Sequence, residues 1–336
     1  MQNSPQAQTP APSLHAADPA RRIVRSRVPD HFKGARFDAY LAARFTYLTL
    51  PRWRELIGAG AVRISGLKVR PSRILSGGET VEFFPPPGRD EPPVRTDYTV
   101  LMETDDFLAV NKPPCLPVHP GGIFFRGTLV MLMRERYGLL HPVNRLDRET
   151  SGLTLLARTP RAARLLADLF RLHRIEKQYT AVVHGVFPAS LTAEGILLPD
   201  ARSRIRKKRG FIPLTSAGAE QGEFCRTHFE CLSSNGVLSV VKCMPETGRL
   251  HQIRATLFAL GFPLAGDKLY GLDETMFIRH AEGTLDAGDR AKLLLEHQAL
   301  HAGTLFFRSP FTKEEIRLEA PPPDDLQDLI LSVMRK

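Results

Sequence analysis

The residues best equipped for chemistry fall in three blocks. The first, HPVNRLDRETSGLTLLAR at 141–158, puts Asp147 in a loop between Pro142 and Gly152, just ahead of an apolar run that reads as a buried strand. A carboxylate on a loop held by a rigid strand is where a reacting group is expected. By itself, the tripeptide Arg-Leu-Asp suits a surface salt bridge equally well. The second block, EKQYTAVVHG, sets Tyr179 at the start of a strand, where a core tyrosine is the ordinary reading. The third, ETGRLHQIRATLFALGFPLAGDKLYG, brings Arg249, His251, Ile253 and Arg254 ahead of a glycine-rich return. Cleavage at an anomeric carbon by a hydrolase would need a second carboxylate as acid or base. Glu149 lies two residues beyond Asp147 and in an extended loop would point elsewhere.

The elements that position these residues can be read from periodicity. After an unpatterned Pro/Ala/Gln leader (1–23) comes a small basic unit (24–85) in which Phe37, Leu41 and Phe45 recur every four residues as a helical stripe. Trp53, Leu56 and Ile57 predict a second short helix ended by Gly58 to Gly60, and VRISGLKV reads as strand, Ser65-Gly66 turn, strand. Arg52, Arg54, Arg63, Lys68, Arg70 and Arg73 make this unit strongly basic. A Pro-rich, charged stretch (86–98) reads as a linker, and the remainder (99–336) turns globular. Its strands include FLAVNKP, LTLLAR, YTAVVHG, VLSVVKC and TLFF. Between them, TPRAARLLADLFRLHR predicts a helix with Thr159 as N-cap and Pro160 at its first position, burying Leu165, Leu166, Leu169 and Phe170. Arg161, Arg164, Arg171 and Arg174 share one sector of that helix, a basic face for solvent or RNA. With no regular βαβ repeat, the class is α+β.

With 336 residues, 46 Lys plus Arg against 36 Asp plus Glu and a net charge of +10, the chain favours a polyanionic partner. Cys115, Cys225, Cys231 and Cys243 show no C-x-x-C pair and no zinc-finger spacing, so all four are expected as reduced, buried thiols in a cytoplasmic protein. No run of apolar residues is long enough to span a bilayer, and the leader lacks a signal-peptide pattern, so no membrane association is expected. The segment LLPDARSRIRKKRGF adds a charge run with Arg206, Lys207 and Lys208, whose ordinary fate is a solvated loop.

The basic unit, with its I-G-A-G-A-V-R-I-S-G turn and later G-G-E-T-V, resembles the S4-like RNA-binding domain. The three blocks, in order with NKPPCLPVHPG at 111–121 and QALHAGTLFF, resemble the RluA family of pseudouridine synthases over about 99–322. The resemblance implies a mixed, largely antiparallel central sheet and isomerisation of uridine within a structured RNA, most plainly ribosomal, with transfer RNA as the alternative. It implies Asp147 as nucleophile, Arg254 as the partner that keeps it ionised, and Tyr179 stacked on the target uracil, with Ile253 beside the same base. Arg145 would fill the gap left by the extruded nucleotide, and Arg249 and His251 would contact substrate. Arg52, Arg54, Lys68, Arg70, Arg206, Lys207 and Lys208 would meet RNA phosphates. The isomerisation neither consumes water nor changes oxidation state, so no cofactor and no metal is expected, and the chain is expected as a monomer. Three positions depart from the usual pattern, Asn144 and Thr256 where His is common and Leu250 where Thr is common; Asn144 puts the geometry of the Asp147 loop in question. A non-catalytic RNA-binding relative would have been expected to lose Asp147, Tyr179 or Arg254, and all three are present.

Overall fold

A computed structural model describes residues 23–45, 49–84, 91–121, 123–205, 207–214 and 222–335. The chain divides into two units, Met1–Asp90 and Glu91–Lys336; the predicted leader, except Ile23, lies outside the described residues.

The first unit contains β1 (Val24–Arg27), α1 (Phe37–Arg44), α2 (Leu50–Gly58), β2 (Val62–Ile64), β3 (Leu67–Lys68) and β4 (Thr80–Phe83). Its sheet runs β1-β4-β2-β3 with antiparallel pairs. Phe37 and Leu41 of α1 and Trp53, Leu56 and Ile57 of α2 are buried together, so the four-residue stripe is the inner face of the helix pair. Ser65 and Gly66 close the β2–β3 hairpin with φ of 48° and 81°, the double positive φ that a two-residue turn between right-twisted strands requires. Asp38 is 1% exposed and accepts from Arg36, from Arg54 Nε at 2.8 Å and from the Ala39 amide at 2.9 Å. It thereby ties α1 to α2, and its carboxyl is lowered to about 2 chiefly by the Arg36 hydrogen bond, with Arg54 adding to it. Arg52 is ion-paired with Glu55 and Arg73 with Glu79. Lys68 and Arg70 are exposed.

The second unit contains β5 (Thr99–Glu103), β6 (Phe107–Lys112), α3 (Leu129–Leu132), α4 (Arg134–Tyr137), β7 (His141–Pro142), β8 (Ser151–Ala157), α5 (Pro160–Arg171), β9 (Ile175–His184) and β10 (Ser190–Pro199). It continues with β11 (Arg209–Pro213), β12 (Glu223–Ser234), β13 (Leu238–Pro245), α6 (Gln252–Ala259), α7 (Thr275–Glu282), α8 (Ala287–Leu293), β14 (Leu300–Arg308), β15 (Glu315–Glu319) and α9 (Asp324–Met334). Eleven strands form one sheet, its main path β11-β10-β12-β13-β9-β14-β8-β6-β5. Among the described residues only the β14–β8 pair is parallel, so the class is α+β with a mixed, largely antiparallel sheet.

Every residue of β8 is buried, as a strand covered on both faces demands. At its start Gly152 has φ of 110°, and a Cβ there would come within 2.3 Å of the Ala302 carbonyl oxygen on β14, so only glycine lets the two backbones meet. α5 starts as its sequence predicts, Thr159 Oγ1 accepting from the Ala162 amide at 3.1 Å. Ala162 and Leu166 are its buried positions; Leu165, Leu169 and Phe170, expected inside, are half-buried, the last two because the C-terminal turn of the helix lines open clefts.

The stretch expected as linker ends sooner than residue 98. Glu91 accepts from the amides of Arg126 and Gly127 at 2.8 and 2.7 Å, which fastens 91–98 to the second unit. Cys225 and Cys243 are buried, but Cys115 and Cys231 are only partly so, a correction to the expectation of four buried thiols. Among the described residues no helix is long and apolar enough to cross a membrane.

Candidate active site

Asp147 sits in the loop between β7 and β8, and the loop's shape comes from backbone carbonyls and amides caught by distant side chains. The Thr150 amide donates to the Asp147 carbonyl at 3.1 Å, and the Gln298 carboxamide reaches the Thr150 hydroxyl. Behind the loop the fully buried Lys112 ammonium donates to the carbonyls of Pro113 (2.8 Å) and Arg148 (3.3 Å), and burial lowers its pKa to about 7. Asn144 departs from the family pattern without opening the loop. Its Oδ1 accepts from the Leu155 amide at 2.7 Å and its Nδ2 donates to the Leu153 carbonyl at 3.1 Å, so the side chain replaces a peptide unit in the ladder just where β7 leaves β8.

On the opposite wall, α6 begins at His251, held at φ 58°. A non-glycine residue in this region carries strain unless neighbours over-determine it. Gln252 does so: its Oε1 accepts from the Arg249 amide (3.0 Å) and the Thr247 hydroxyl (2.8 Å), while its Nε2 donates to the Arg226 carbonyl (3.0 Å) and Thr227 Oγ1 (2.9 Å). Lys177 adds hydrogen bonds to the carbonyls of Glu246 and Thr247 at 3.2 and 3.1 Å. The β13–α6 connection is therefore rigid.

α6 then delivers Arg254, 8% exposed, between two carboxylates. Its Nη1 donates to Asp147 Oδ2 at 2.6 Å, and its Nε and Nη2 fork onto Asp267 at 2.7 and 2.9 Å. Asp267 is itself fixed by the amides of Leu269 and Tyr270, each at 2.9 Å. Burial alone would raise the Asp147 carboxyl, but the guanidinium more than reverses this and the net shift is downward. The Asp147 side chain remains 25% exposed, open to the cleft.

Nε2 of His251 lies 3.9 Å from Asp147 Oδ1, the oxygen that Arg254 does not take. The Tyr270 hydroxyl accepts from the Arg209 amide at 2.7 Å, which leaves its proton for His251 Nδ1 at 2.9 Å. That pattern assigns the His251 proton to Nε2. Burial lowers the imidazole to about 4, so it is neutral at physiological pH. Tyr179, from β9, and Ile253, 6% exposed, line the same cavity, and the Tyr179 hydroxyl is pushed well above its ordinary range by burial and by the charge of Asp147. Arg145 and Arg249 line the rim, Arg145 3.5 Å from His119 and Arg249 bonded to the Phe224 carbonyl at 3.2 Å. The adjoining cleft has a volume of about 730 Å³, within the ~300–1,000 Å³ range of ligand sites.

The structure thus brings Asp147, Tyr179, Arg249, His251, Ile253, Arg254 and Arg145 around one cavity. Among the described residues it supplies no second free carboxylate there. Asp267 is consumed by Arg254, and Glu149 is turned onto Lys268 (3.0 Å) and Arg148 (2.7 Å); the net shift of each is downward, so neither can serve as an acid near neutral pH. The two-carboxylate hydrolase loses its chemistry.

Within the charge run, Lys208 corrects the reading of a phosphate-gripping cation. It is 4% exposed, bonded to Glu274 at 2.6 Å and stacked over Phe258 and Tyr270, so it serves to dock its loop. Lys207 is exposed beside Phe277, and Arg206 lies outside the described residues. In the first unit, Arg52 and Arg54 are engaged by Glu55 and Asp38, and Lys68 and Arg70 face solvent. Sequence reasoning missed Asp267, Gln252, Tyr270 and Lys112. Only the A-G-D-K-L-Y-G return hinted at the first and third, as a tight turn carrying a carboxylate.

Residues 106–259 match the family described as RNA pseudouridylate synthase. A relative from Xanthomonas campestris pv. campestris, named ribosomal large subunit pseudouridine synthase D, is 35% identical over 96% of each chain. The mitochondrial tRNA pseudouridine(32) synthase of Saccharomyces cerevisiae is 32% identical over 66% of this chain and 47% of its own. Among solved structures, human RNA pseudouridylate synthase domain containing 1 matches with a TM-score of 0.54 at 22% identity, covering 75% of this chain and 98% of that one.

Proposed function

The chain belongs to the RNA pseudouridylate synthase family and isomerises uridine to pseudouridine in RNA, and we propose that Asp147 is the nucleophile of that reaction, in large-subunit ribosomal RNA. The observation that carries the assignment is the 2.6 Å hydrogen bond from Arg254 to Asp147, with Asp267 fixing the guanidinium from behind. The isomerisation breaks the N1–C1′ bond, rotates the uracil, forms the C5–C1′ bond and moves one proton from C5 to N1. A carboxylate held ionised and partly open to the cleft suits attack and not proton donation. Arg254 occupies Oδ2 and leaves Oδ1 towards the neutral His251.

Tyr179 stacks on the extruded uracil with its hydroxyl protonated, and Ile253 closes the other side of the base. Arg145, exposed on the Asp147 loop, fills the space the nucleotide leaves. Arg249 and His251 contact the substrate from the β13–α6 side. The S4-like first unit adds RNA affinity through Lys68 and Arg70, with Arg52 exchanging Glu55 for phosphate and Arg54 offering the half-exposed guanidinium edge that Asp38 leaves open, and Lys207 contributes beside the cleft. The ribosomal target is supported by the relative from Xanthomonas, similar along the whole chain including the first unit. The yeast tRNA relative covers two thirds of it. We take the protein to work as a cytoplasmic monomer.

Asp147→Asn is the test. The amide is nearly isosteric but cannot act as nucleophile, so pseudouridine formation should vanish while RNA binding and thermal stability stay near wild type. Turnover at the normal rate would remove Asp147 from its role. Mapping pseudouridine in total RNA from cells with and without the gene distinguishes a ribosomal from a transfer RNA target.

A further inference from the structure

Away from the catalytic carboxylate, the second unit carries a cavity of about 330 Å³ lined by Leu169, Arg174, Arg308, Ser309, Pro310 and Lys313. Its three cations come from two separate places in the chain and all are exposed. Among the described residues none of them forms an ion pair, although Glu314 and Glu315 neighbour the same turn. Cations that converge without an acid between them repel one another, an arrangement that an anion relieves.

The geometry is built and not incidental. Ser309 Oγ accepts from the amides of Phe311 and Thr312 at 3.2 and 3.1 Å, and Arg308 Nε donates to the Lys313 carbonyl at 2.6 Å. Lys313 itself stands at φ 67°, its Nζ donates to the Pro310 carbonyl at 3.2 Å, and both it and Arg308 line the cavity. Across from it, the turn after α5 is pinned by His173, whose Nδ1 donates to the Glu246 carbonyl at 2.7 Å. That carbonyl is the one Lys177 also holds on the wall of the catalytic cleft. Arg171 and His173 line the cleft, while Leu169 and Arg174 line the basic cavity, so one turn of chain is the partition between the two. Arg161 and Arg164 extend the positive face along α5 and, among the described residues, have no acidic partner.

We propose that this cavity is a phosphate site for the RNA strand that leaves the catalytic cleft, with Arg174, Arg308 and Lys313 as its contacts and the exposed face of α5 as the continuation of the track. An arginine fork and a lysine point charge around one opening fit a phosphodiester, and the α5 turn that lines this cavity also lines the cleft that holds Asp147. The inference rests on the reading of the cleft as the site of uridine isomerisation.

The test uses the full chain and two synthetic RNAs, a minimal hairpin around the target uridine and the same hairpin with its single-stranded flanks. The double variant Arg174→Glu/Lys313→Glu spares Arg308, whose 2.6 Å bond braces the turn more closely than the 3.2 Å bond from Lys313 Nζ to the Pro310 carbonyl, and a thermal melt checks that the variant stays folded. For the flanked RNA, the slope of log Kd against log salt should fall by about 1.4, the loss of two single-strand phosphate contacts at ~0.7 each. Affinity for the minimal hairpin and the single-turnover rate at saturating RNA should stay at wild-type values. Arg174→Lys, which keeps the charge, should retain the slope. Equal weakening for both RNAs would reduce the effect to net charge, and unchanged binding of the flanked RNA would give the cavity to another partner, such as an acidic protein; either result overturns the proposal. Failure of the underlying reading would look different, since the wild-type chain would then form no pseudouridine in either RNA.

Discussion

Asn144 works through the carbonyl and amide it occupies on β8, and the ladder it extends ends three residues before Asp147. Asn144→Asp keeps the acceptor towards Leu155 but faces the Leu153 carbonyl with a second negative oxygen, and only protonation restores the donor. The introduced carboxyl is therefore raised, and kcat should drop on the order of 100-fold near pH 7, as a misplaced reacting group does, then recover as pH falls towards 5, with KM little changed. The wild-type enzyme should be flat over the same range, because the Asp147 carboxyl is held low, His251, lowered to about 4, is already neutral, and Lys112, lowered to about 7, can donate its two carbonyl hydrogen bonds as amine or ammonium. Steady-state rates across pH for both proteins check this; a variant with wild-type kcat at pH 7 would deprive Asn144 of its positioning role. That Asp147, Tyr179 and Arg254 share one site was legible, since they stand in blocks whose order is informative. The residues that hold them were not. Gln252, Lys112 and Asp267 bind backbone groups or partners 13 to 36 positions away, and nothing in local spacing announces such pairs.

At the scale of elements, α1 and α2 could be read from their stripes and the β2–β3 hairpin from Ser65-Gly66, but the charged link between the helices could not. Arg54 reaches Asp38 across 16 residues, and a count of arginines records it as free charge. Lys208 misleads in the same way, because Glu274, 66 residues on, covers it. Asp38 has a testable consequence. Its pKa is about 2 in the folded unit, below the ~3.9 of an unfolded aspartate, so it stabilises the fold above about pH 4 and loses that contribution as pH falls towards the folded value. Asp38→Ala removes hydrogen bonds whose donors are half-exposed, so it should cost about 1 kcal/mol and should flatten the acid limb of the unfolding curve. Trp53 is the sole tryptophan of the chain and lies 1% exposed between the two helices. Its fluorescence in urea therefore reads the first unit alone; equal denaturation midpoints for wild type and variant would refute the link.

For the whole molecule, the boundary at Asp90 and Glu91 sets where a separation of roles can be tried. A chain beginning at Glu91 should fold and carry out single-turnover isomerisation on a minimal RNA, with weaker binding and a smaller salt slope than the full chain. One beginning at Thr96 loses the carboxylate that accepts from Arg126 and Gly127 and should melt at a lower temperature. Equal salt slopes for the full chain and the Glu91 chain would mean that the first unit does not contact RNA. β14 carries a consequence of another kind, in time. It lies between β9 and β8, pairs with Gly152, and through His301 meets Ser151 across 150 residues of sequence. During synthesis at ~5–20 residues per second, the Asp147 loop waits on the order of ten seconds before its partner strand exists. The first unit, whose strands pair within 24–83, is complete before that wait begins. A nascent chain can therefore present its folded basic head while the Asp147 carboxylate has no fixed place, and arrested chains ending before Leu300 should be inactive on any RNA they hold.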